Sequence, residues 1–201
     1  MKFNTIAWIG ALLAVALLVG CGSSPKGRIM EEGEGDLVGT KAAGAGTYDR
    51  LIEGAVTKLL NRQSAAKKGL SQIKVAFMGL ENASAEDLGD FHRQIYELID
   101  TSVNTSERYR TISNKFVNAA LRESRLRVDQ LFLKKHRTTF VETLEASGNP
   151  VEFLLFATIT SGTTRGEGMK QRNYMLTLEI VDVVTGYNDK ESERIRKEYT
   201  K

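Results

Sequence analysis

Side chains that could carry out catalysis or hold a metal are few in this 201-residue chain. Cys21 is the single cysteine, and His92 and His136 are the two histidines. Neither histidine belongs to an HExxH motif or to a Cys/His spacing that binds zinc. Four acids that cluster on one predicted helix are typical of a solvated face. These acids are Asp87, Asp90, Glu97 and Asp100. The sequence therefore predicts no catalytic residue, no metal site and no cofactor.

A glycine-rich stretch at residues 162–168 is the remaining feature that could bind a small molecule. It joins two predicted strands, lacks a GKS or GKT motif, and is not followed by a helix N-terminus that would hold phosphate. The net charge is only +3, and the basic run at residues 134–137 has no accompanying aromatic residues, as expected of a solvated face. We therefore expect no small-molecule substrate and no nucleic acid, and we expect binding or structural work instead.

The chemistry of Cys21 is explained by the residues before it. Lys2 supplies a positive charge and residues 6–19 form an apolar run, as in a secretory signal peptide. That run is too short to cross the roughly 30 Å hydrocarbon core of a bilayer. Residues 18–21 read LVGC and look like a bacterial lipobox, which predicts that residues 1–20 are removed and that Cys21 is lipidated. Gly22 follows the cysteine where an aspartate could stand, which favours anchoring in the outer membrane, facing the periplasm.

The chain after Cys21 divides by composition into two parts. Residues 21–46 are rich in Gly, Ser, Ala, Lys and Glu, and cannot bury enough apolar surface to fold, which predicts a lipidated flexible tether. Residues 47–201 show regular apolar periodicity and are long enough for one globular domain. We therefore expect a signal peptide, a tether and a single periplasmic domain.

The periodicity of the domain predicts helices first and strands last. The predicted helices are residues 47–69 with Thr47 as N-cap, a second helix with Phe91, Ile95, Leu98 and Ile99 on its apolar stripe, a third capped by Ser113, and residues 128–146. The predicted strands are residues 73–80, ending in a turn at 81–84, then 109–112, 153–160, 174–184 and 192–199. This order predicts an α/β domain in which a small mixed β-sheet with an antiparallel C-terminal meander is packed by about four helices. The strand at 153–160 is apolar on both sides, which predicts a central position.

Several strand motifs of this chain resemble a known family. They are VAFMGLEN at residues 75–82 followed by Ala83 and Ser84, FLLFATITS at 153–161, YMLTLEIVDVVTG at 174–186 and RIRK at 194–197. In this order, behind a lipobox and a loose linker, they look like the peptidoglycan-synthase activator lipoproteins of the LpoB family. The resemblance covers about residues 47–197.

The resemblance implies a non-enzymatic regulator. Such a protein would be held in the outer membrane, would bind the periplasmic part of a bifunctional class A penicillin-binding protein, and would stimulate glycan polymerisation and peptide cross-linking. Physically this is a population shift, in which the lipoprotein binds the active conformation of the synthase more tightly than the inactive one.

The segment that joins the two long strands, residues 162–173, is too long for a tight turn and predicts an exposed hairpin loop. Exposed loops on a rigid sheet often carry binding residues. We therefore expect the docking surface there, with Met169 as an apolar tip among polar anchors. These anchors are Arg165, Lys170, Gln171 and Arg172.

An alternative is a structural subunit of an outer-membrane secretion or surface-organelle assembly, whose curli-type members have a related periplasmic α/β domain. A pore subunit must supply long strands with alternating lipid-facing and lumen-facing residues. The longest candidate strands here are needed for the sheet of the domain. A ring of non-spanning subunits remains open, and light scattering would distinguish such self-association from a monomer.

Overall fold

The fold comes from a computed structural model, which describes residues 43–66, 72–166 and 169–200. Within these ranges the chain forms four α-helices, one 3-10 helix and five strands. The helices are α1 (Ala45–Ala66), α2 (Phe91–Asn104), α3 (Asn114–Ser124), the 3-10 helix (Val128–Phe132) and α4 (Lys134–Ala146). The strands are β1 (Ile73–Ala83), β2 (Tyr109–Ile112), β3 (Phe153–Gly166), β4 (Met169–Asp182) and β5 (Asn188–Thr200). The predicted signal peptide, Cys21 and most of the predicted tether lie outside the described residues.

The five strands form one sheet in the order β2-β1-β3-β4-β5. β1 is parallel to both β2 and β3, whereas β3, β4 and β5 follow one another as an antiparallel meander. The predicted fold class, a mixed sheet with an antiparallel C-terminal half, is confirmed. The predicted central position of β3 is confirmed as well, and its apolar start is buried on both faces of the sheet.

Alternate residues of the strands feed two separate hydrophobic cores. On one face, Leu155 and Ile159 of β3 pack with α1 and α2, represented by Leu51 and Ile99. On the other face, Leu154 packs with residues of α3, the 3-10 helix and α4. These residues include Val117, Leu131, Phe140 and Leu144. A buried side chain of this size stabilises the fold by about 1.5–3 kcal/mol, so packing against the sheet helps to hold both helix layers.

The prediction of one continuous helix at residues 128–146 is wrong, because the chain divides there into a 3-10 helix and α4, although α4 ends at Ala146 as predicted. Leu133 adopts an extended conformation, with φ −81° and ψ 124°, between the 3-10 helix and α4. The guanidinium of Arg137 donates from Nη1 to the carbonyl oxygens of Leu131 and Phe132, at 3.3 Å each. These carbonyls are thus occupied by a side chain at the break, and a local pattern of apolar residues does not reveal such a bond.

The predicted long loop at residues 162–173 is also wrong. β3 and β4 remain paired in register up to Gly166 opposite Met169. Residues 162–166 of β3 are all exposed, so the usual alternation of apolar and polar residues is missing there. The predicted turn at 81–84 lies later in the chain, since β1 continues to Ala83 and the bend begins at Ser84.

Smaller differences concern helix ends. α1 begins at Ala45, so Thr47 lies buried in the first turn and is not the N-cap. Ser113 precedes α3 as predicted, but its side chain makes no capping hydrogen bond. Ile95 and Ile99 are buried on α2 as predicted, whereas Leu98 is 42% exposed.

Candidate docking surfaces at the two ends of the sheet

Glu86 organises the end of the sheet that carries the β3–β4 hairpin, here called the hairpin end. Its carboxylate forms an ion pair with Arg172 of β4 and accepts a hydrogen bond of 2.9 Å from the hydroxyl of Tyr174. The other carboxylate oxygen accepts a bond of 3.3 Å from the backbone N–H of Ala43, just before α1. The side chains of Arg172 and Glu86 are only 19% and 12% exposed. Glu86 therefore ties the start of the domain, the β1–α2 loop and β4 together.

The loop that carries Glu86 is itself fixed by hydrogen bonds. Asn82 donates from its side-chain amide to the carbonyl of Glu86 at 2.8 Å, and its side-chain oxygen accepts the N–H of Ser84 at 3.0 Å. The N–H of Ala85 donates to the hydroxyl of Ser161 on β3 at 3.2 Å. Burial raises the pKa of Tyr174, so its hydroxyl keeps the proton that it donates to Glu86.

The structure divides the predicted docking residues into two groups. Arg165 and Met169 are exposed at the tip of the hairpin, and Lys170 lies directly opposite Arg165, so two like charges face each other. Gln171 donates to the carboxylate of Glu198 on β5 at 3.0 Å, and Arg172 is held by Glu86. The role of all five residues in binding stays a prediction.

The opposite end of the sheet, here called the turn end, is the connection between β4 and β5. The side chain of Asp182 accepts the N–H groups of Val184 and Thr185 at 2.9 and 2.8 Å, and its backbone bonds to Gly186 and Tyr187, both at 2.9 Å. Gly186 has φ +76°, a left-handed conformation that favours glycine. The turn is therefore rigid, and it holds Val184 and Tyr187 out in solvent at 74% and 82% exposure.

Arg137 lies beneath this turn and joins it to the 3-10 helix. The residue is only 4% exposed, which corrects the prediction that the whole basic run at residues 134–137 is a solvated face. Its Nε donates to the carbonyl of Val183 at 2.9 Å, in addition to its bonds with Leu131 and Phe132. A Cβ placed on Gly186 would lie 2.6 Å from Nη2 of Arg137. One guanidinium thus fixes two segments that are far apart in sequence.

Sequence reasoning missed both Glu86 and Arg137 as organising residues. The acid lies among other acids in a polar loop, and the arginine lies among other basic residues. The one local signal was the DVVTG motif, in which Asp182 and Gly186 indicate a tight turn.

A cleft of about 510 Å³ between α2 and the start of α3 is lined by Tyr96, Asp100 and Thr111 among others. Burial raises the pKa of Asp100, and a hydrogen bond with Thr111 opposes that rise. Nε2 of His92 lies 3.0 Å from the carbonyl oxygen of Leu80. Among the described residues there is no group of three His, Cys, Asp or Glu side chains placed to hold a metal ion.

Comparison with solved structures identifies the fold. The C-terminal domain of LpoB from Salmonella enterica matches with a TM-score of 0.51 and 12% sequence identity, over 74% of this chain and 97% of that domain. The fold is that of the LpoB C-terminal domain. The same domain from Escherichia coli matches at a TM-score of 0.47 and 12% identity, covering 71% of this chain and 97% of that one. The NMR structure of Escherichia coli LpoB gives 0.48 and 11%, covering 89% and 86%.

The resemblance to LpoB that the sequence predicts is confirmed at the level of the fold. No protein-family model matches this chain, and no curated protein matches it in sequence. Within the described ranges, no helix is both long and apolar enough to cross a membrane.

Proposed function

We propose that this chain is a lipoprotein of the outer membrane, anchored through Cys21 and facing the periplasm, that binds and activates a bifunctional class A penicillin-binding protein. It regulates peptidoglycan synthesis without catalysing a reaction itself. The observation that supports the proposal most strongly is the LpoB-like fold, which matches 97% of the Salmonella domain. The strand motifs and the lipobox of the sequence support it independently.

Activation in this proposal follows from a difference in affinity. A regulator shifts a two-state enzyme only by as much as it binds one state more tightly than the other, and tenfold tighter binding corresponds to about 1.4 kcal/mol. A domain with two packed cores and fixed loops at both ends of its sheet suits this task, because a rigid surface loses little entropy when it binds.

Lipid anchoring limits where the domain acts. The two or three acyl chains of a bacterial lipoprotein would hold Cys21 stably in a bilayer. Twenty-two residue steps separate Cys21 from Ala43, so at about 3.4 Å per residue this connection reaches at most about 75 Å. Within that radius the domain would meet its partner in the periplasm.

The hairpin residues remain part of the proposal as partner contacts. Arg165 and Met169 are exposed at the tip, and Lys170 beside them is half-buried; these three would contact the partner directly. Gln171 and Arg172 would contribute by holding the tip in place through Glu198 and Glu86. Charge reversal at Arg165 should weaken capture of the partner without a loss of thermal stability, whereas reversal at Arg172 also breaks an internal ion pair.

The deciding experiment is in-cell crosslinking of the tagged full-length protein, followed by mass spectrometry of its adducts. We expect a class A penicillin-binding protein among the specific adducts, and we expect the purified protein to stimulate its glycan polymerisation in a reconstituted assay. A Cys21→Ser variant should lose lipid labelling and membrane association. Recovery of only higher-order adducts of the chain with itself would contradict the proposal and favour an assembly subunit.

A further inference from the structure

An apolar surface lies at the turn end, far from the predicted hairpin contacts. Phe132 and Leu133 are 54% and 60% exposed, and Val184 and Tyr187 are 74% and 82% exposed. These four residues are here called the turn-end surface. They belong together because Arg137 bonds to the carbonyls of both Phe132 and Val183. Clustered apolar side chains of this size on a soluble domain mark interaction sites.

The turn-end surface is held rigidly before any partner arrives. The ring of Phe132 stacks on Phe156 of β3, with ring centroids 5.0 Å apart. Asp182 and Gly186 fix the turn that carries Val184 and Tyr187. A surface fixed by such internal bonds pays little ordering entropy on binding, which is how preorganised interfaces gain affinity.

The charges beside this surface are positive and unmatched. Lys134 and Lys135 follow Leu133 directly and are exposed in the first turn of α4. Cations at a helix N-terminus are repelled by the helix dipole, so both lysines lie where they destabilise their own helix. Neither forms an ion pair within the described part of the chain. The carboxylates of neighbouring segments are already engaged: Asp129 by Arg127, Asp182 by the turn amides and Glu179 by Lys190.

The turn-end surface lies at the opposite end of the sheet from Ala43. Ala43, the first described residue, is bonded to Glu86 at the hairpin end. Arg172 pairs with Thr163 on β3, whereas Asp182 of the turn pairs with Phe153, ten residues earlier. At about 3.3 Å per residue the two positions are about 33 Å apart along the strand. If Cys21 is anchored as proposed above, the turn end is free to point away from that membrane.

We infer that the turn-end surface is a docking site for a protein partner that presents carboxylates around an apolar pocket. Tyr187 is the central anchor, because a rigid aromatic side chain with a polar tip is the commonest kind of binding hot spot. Lys134 and Lys135 pair with the carboxylates. A second copy of the chain fits less well because it would bring the same unpaired lysines to the interface. The anchoring membrane fits less well because Ala43, the described residue nearest in sequence to Cys21, lies at the other end.

Site-specific photocrosslinking in the native cells tests this inference. A benzoylphenylalanine replaces Tyr187 in the full-length protein, and a second variant carries it at Met169 on the hairpin. We expect Tyr187→benzoylphenylalanine to give a protein adduct whose crosslinked peptide carries several Asp or Glu residues. Adding Lys134→Glu and Lys135→Glu should lower the yield of this adduct about tenfold, because close charge pairs at interfaces contribute strongly to affinity.

A matched control is available on the opposite face of the sheet. Arg50→Glu with Arg93→Glu makes the same change in net charge on exposed residues of α1 and α2, and should leave the adduct within about twofold. Urea unfolding of each purified variant checks that the fold is intact. Leu133→Ser is a second test of the surface, and it should also weaken the adduct.

The inference is overturned if the Tyr187 position gives no protein adduct, an adduct only with the chain itself, or an adduct only with lipid. It is also overturned if reversal of the two lysines leaves the yield unchanged. Because the inference rests in part on the proposed function, the identity of the adduct distinguishes the two. A Tyr187 adduct with a protein other than a class A penicillin-binding protein supports the surface and contradicts the proposed partner. If a variant with both Tyr187→Ser and Leu133→Ser stimulates the synthase as well as the wild type does, the result supports the proposed partner and contradicts the turn-end surface as its docking site.

Discussion

The two ends of the sheet each use one arginine to fix a loop, but with different chemistry. At the hairpin end Arg172 meets the carboxylate of Glu86, and the charges neutralise each other inside the domain. At the turn end Arg137 meets three backbone carbonyls, and among the described residues no acid is hydrogen-bonded to it. The buried charges of the hairpin end are therefore satisfied internally, whereas the turn end keeps exposed apolar and basic groups, which we propose bind a partner.

The largest expected effect is the loss of the Arg137 guanidinium. Arg137→Met keeps much of the side-chain volume but leaves three carbonyl oxygens without their donor, so we expect the free energy of unfolding to fall by about 3 kcal/mol. Urea unfolding followed by circular dichroism measures it. Arg50→Met on the exposed face of α1 is the matched control and should change stability by less than about 0.5 kcal/mol. A loss below about 1 kcal/mol for Arg137→Met would show that the turn end does not depend on this residue.

Gly186→Ala should have the next largest effect, because it disturbs the same end by two routes. The residue would be strained at φ +76°, and the added Cβ would lie 2.6 Å from Nη2 of Arg137. We expect a loss of about 2 kcal/mol in thermal or urea unfolding. Gly162→Ala on β3 is the control, since a Cβ there meets nothing within 4 Å. Equal losses for the two variants would mean that the turn end has no special requirement for glycine.

Glu86 and Arg137, which organise the two ends of the sheet, also show what the sequence alone could and could not predict. Apolar periodicity predicted the strand at residues 109–112 with its observed bounds, the central β3, and the buried side of α2 at Ile95 and Ile99. These features could be predicted because burial leaves a local pattern in the sequence. Apolar periodicity did not predict the roles of Glu86 and Arg137, whose partners lie 86 and 46 residues away along the chain. The break before α4 involves side-chain bonds from Arg137 to carbonyls five and six residues away, which apolar periodicity does not show. The extended hairpin depends on pairing of polar strands, so both predictions failed.

Breaking the ion pair of the hairpin end should cost less than losing Arg137. Glu86→Gln removes the charge but keeps an oxygen that can accept the Tyr174 hydroxyl, so we expect a loss of about 1–2 kcal/mol. A double-mutant cycle with Arg172→Met isolates the pair, and the coupling should be at least about 0.5 kcal/mol. Additive losses in the cycle would mean that the two side chains stabilise the domain separately. The adduct at Tyr187 should be unaffected, because this change lies at the other end of the sheet.

The smallest expected effect lies between the two ends, where α1 crosses β5. Lys58 donates to Glu193 at 2.7 Å, and this bond lowers the pKa of Glu193 below its ordinary value of 4.5. A lowered pKa in the folded state stabilises the protein above the unfolded value, and that stability is lost as pH falls through the folded pKa. The pair is partly exposed, so its contribution at pH 7 is about 0.5 kcal/mol.

The pKa of Asp100 is shifted in the opposite direction from that of Glu193. Burial raises its pKa, so its charged form destabilises the folded state at neutral pH, and this cost disappears as pH falls through the raised folded pKa. Glu193→Gln should therefore lower stability at pH 7 and flatten its decline in acid, whereas Asp100→Asn should raise stability at pH 7. Urea midpoints measured from pH 7 down to about pH 3 would show both trends. Shifts of the same sign for the two variants would mean that general charge balance, rather than these two local environments, sets the response of the domain to acid.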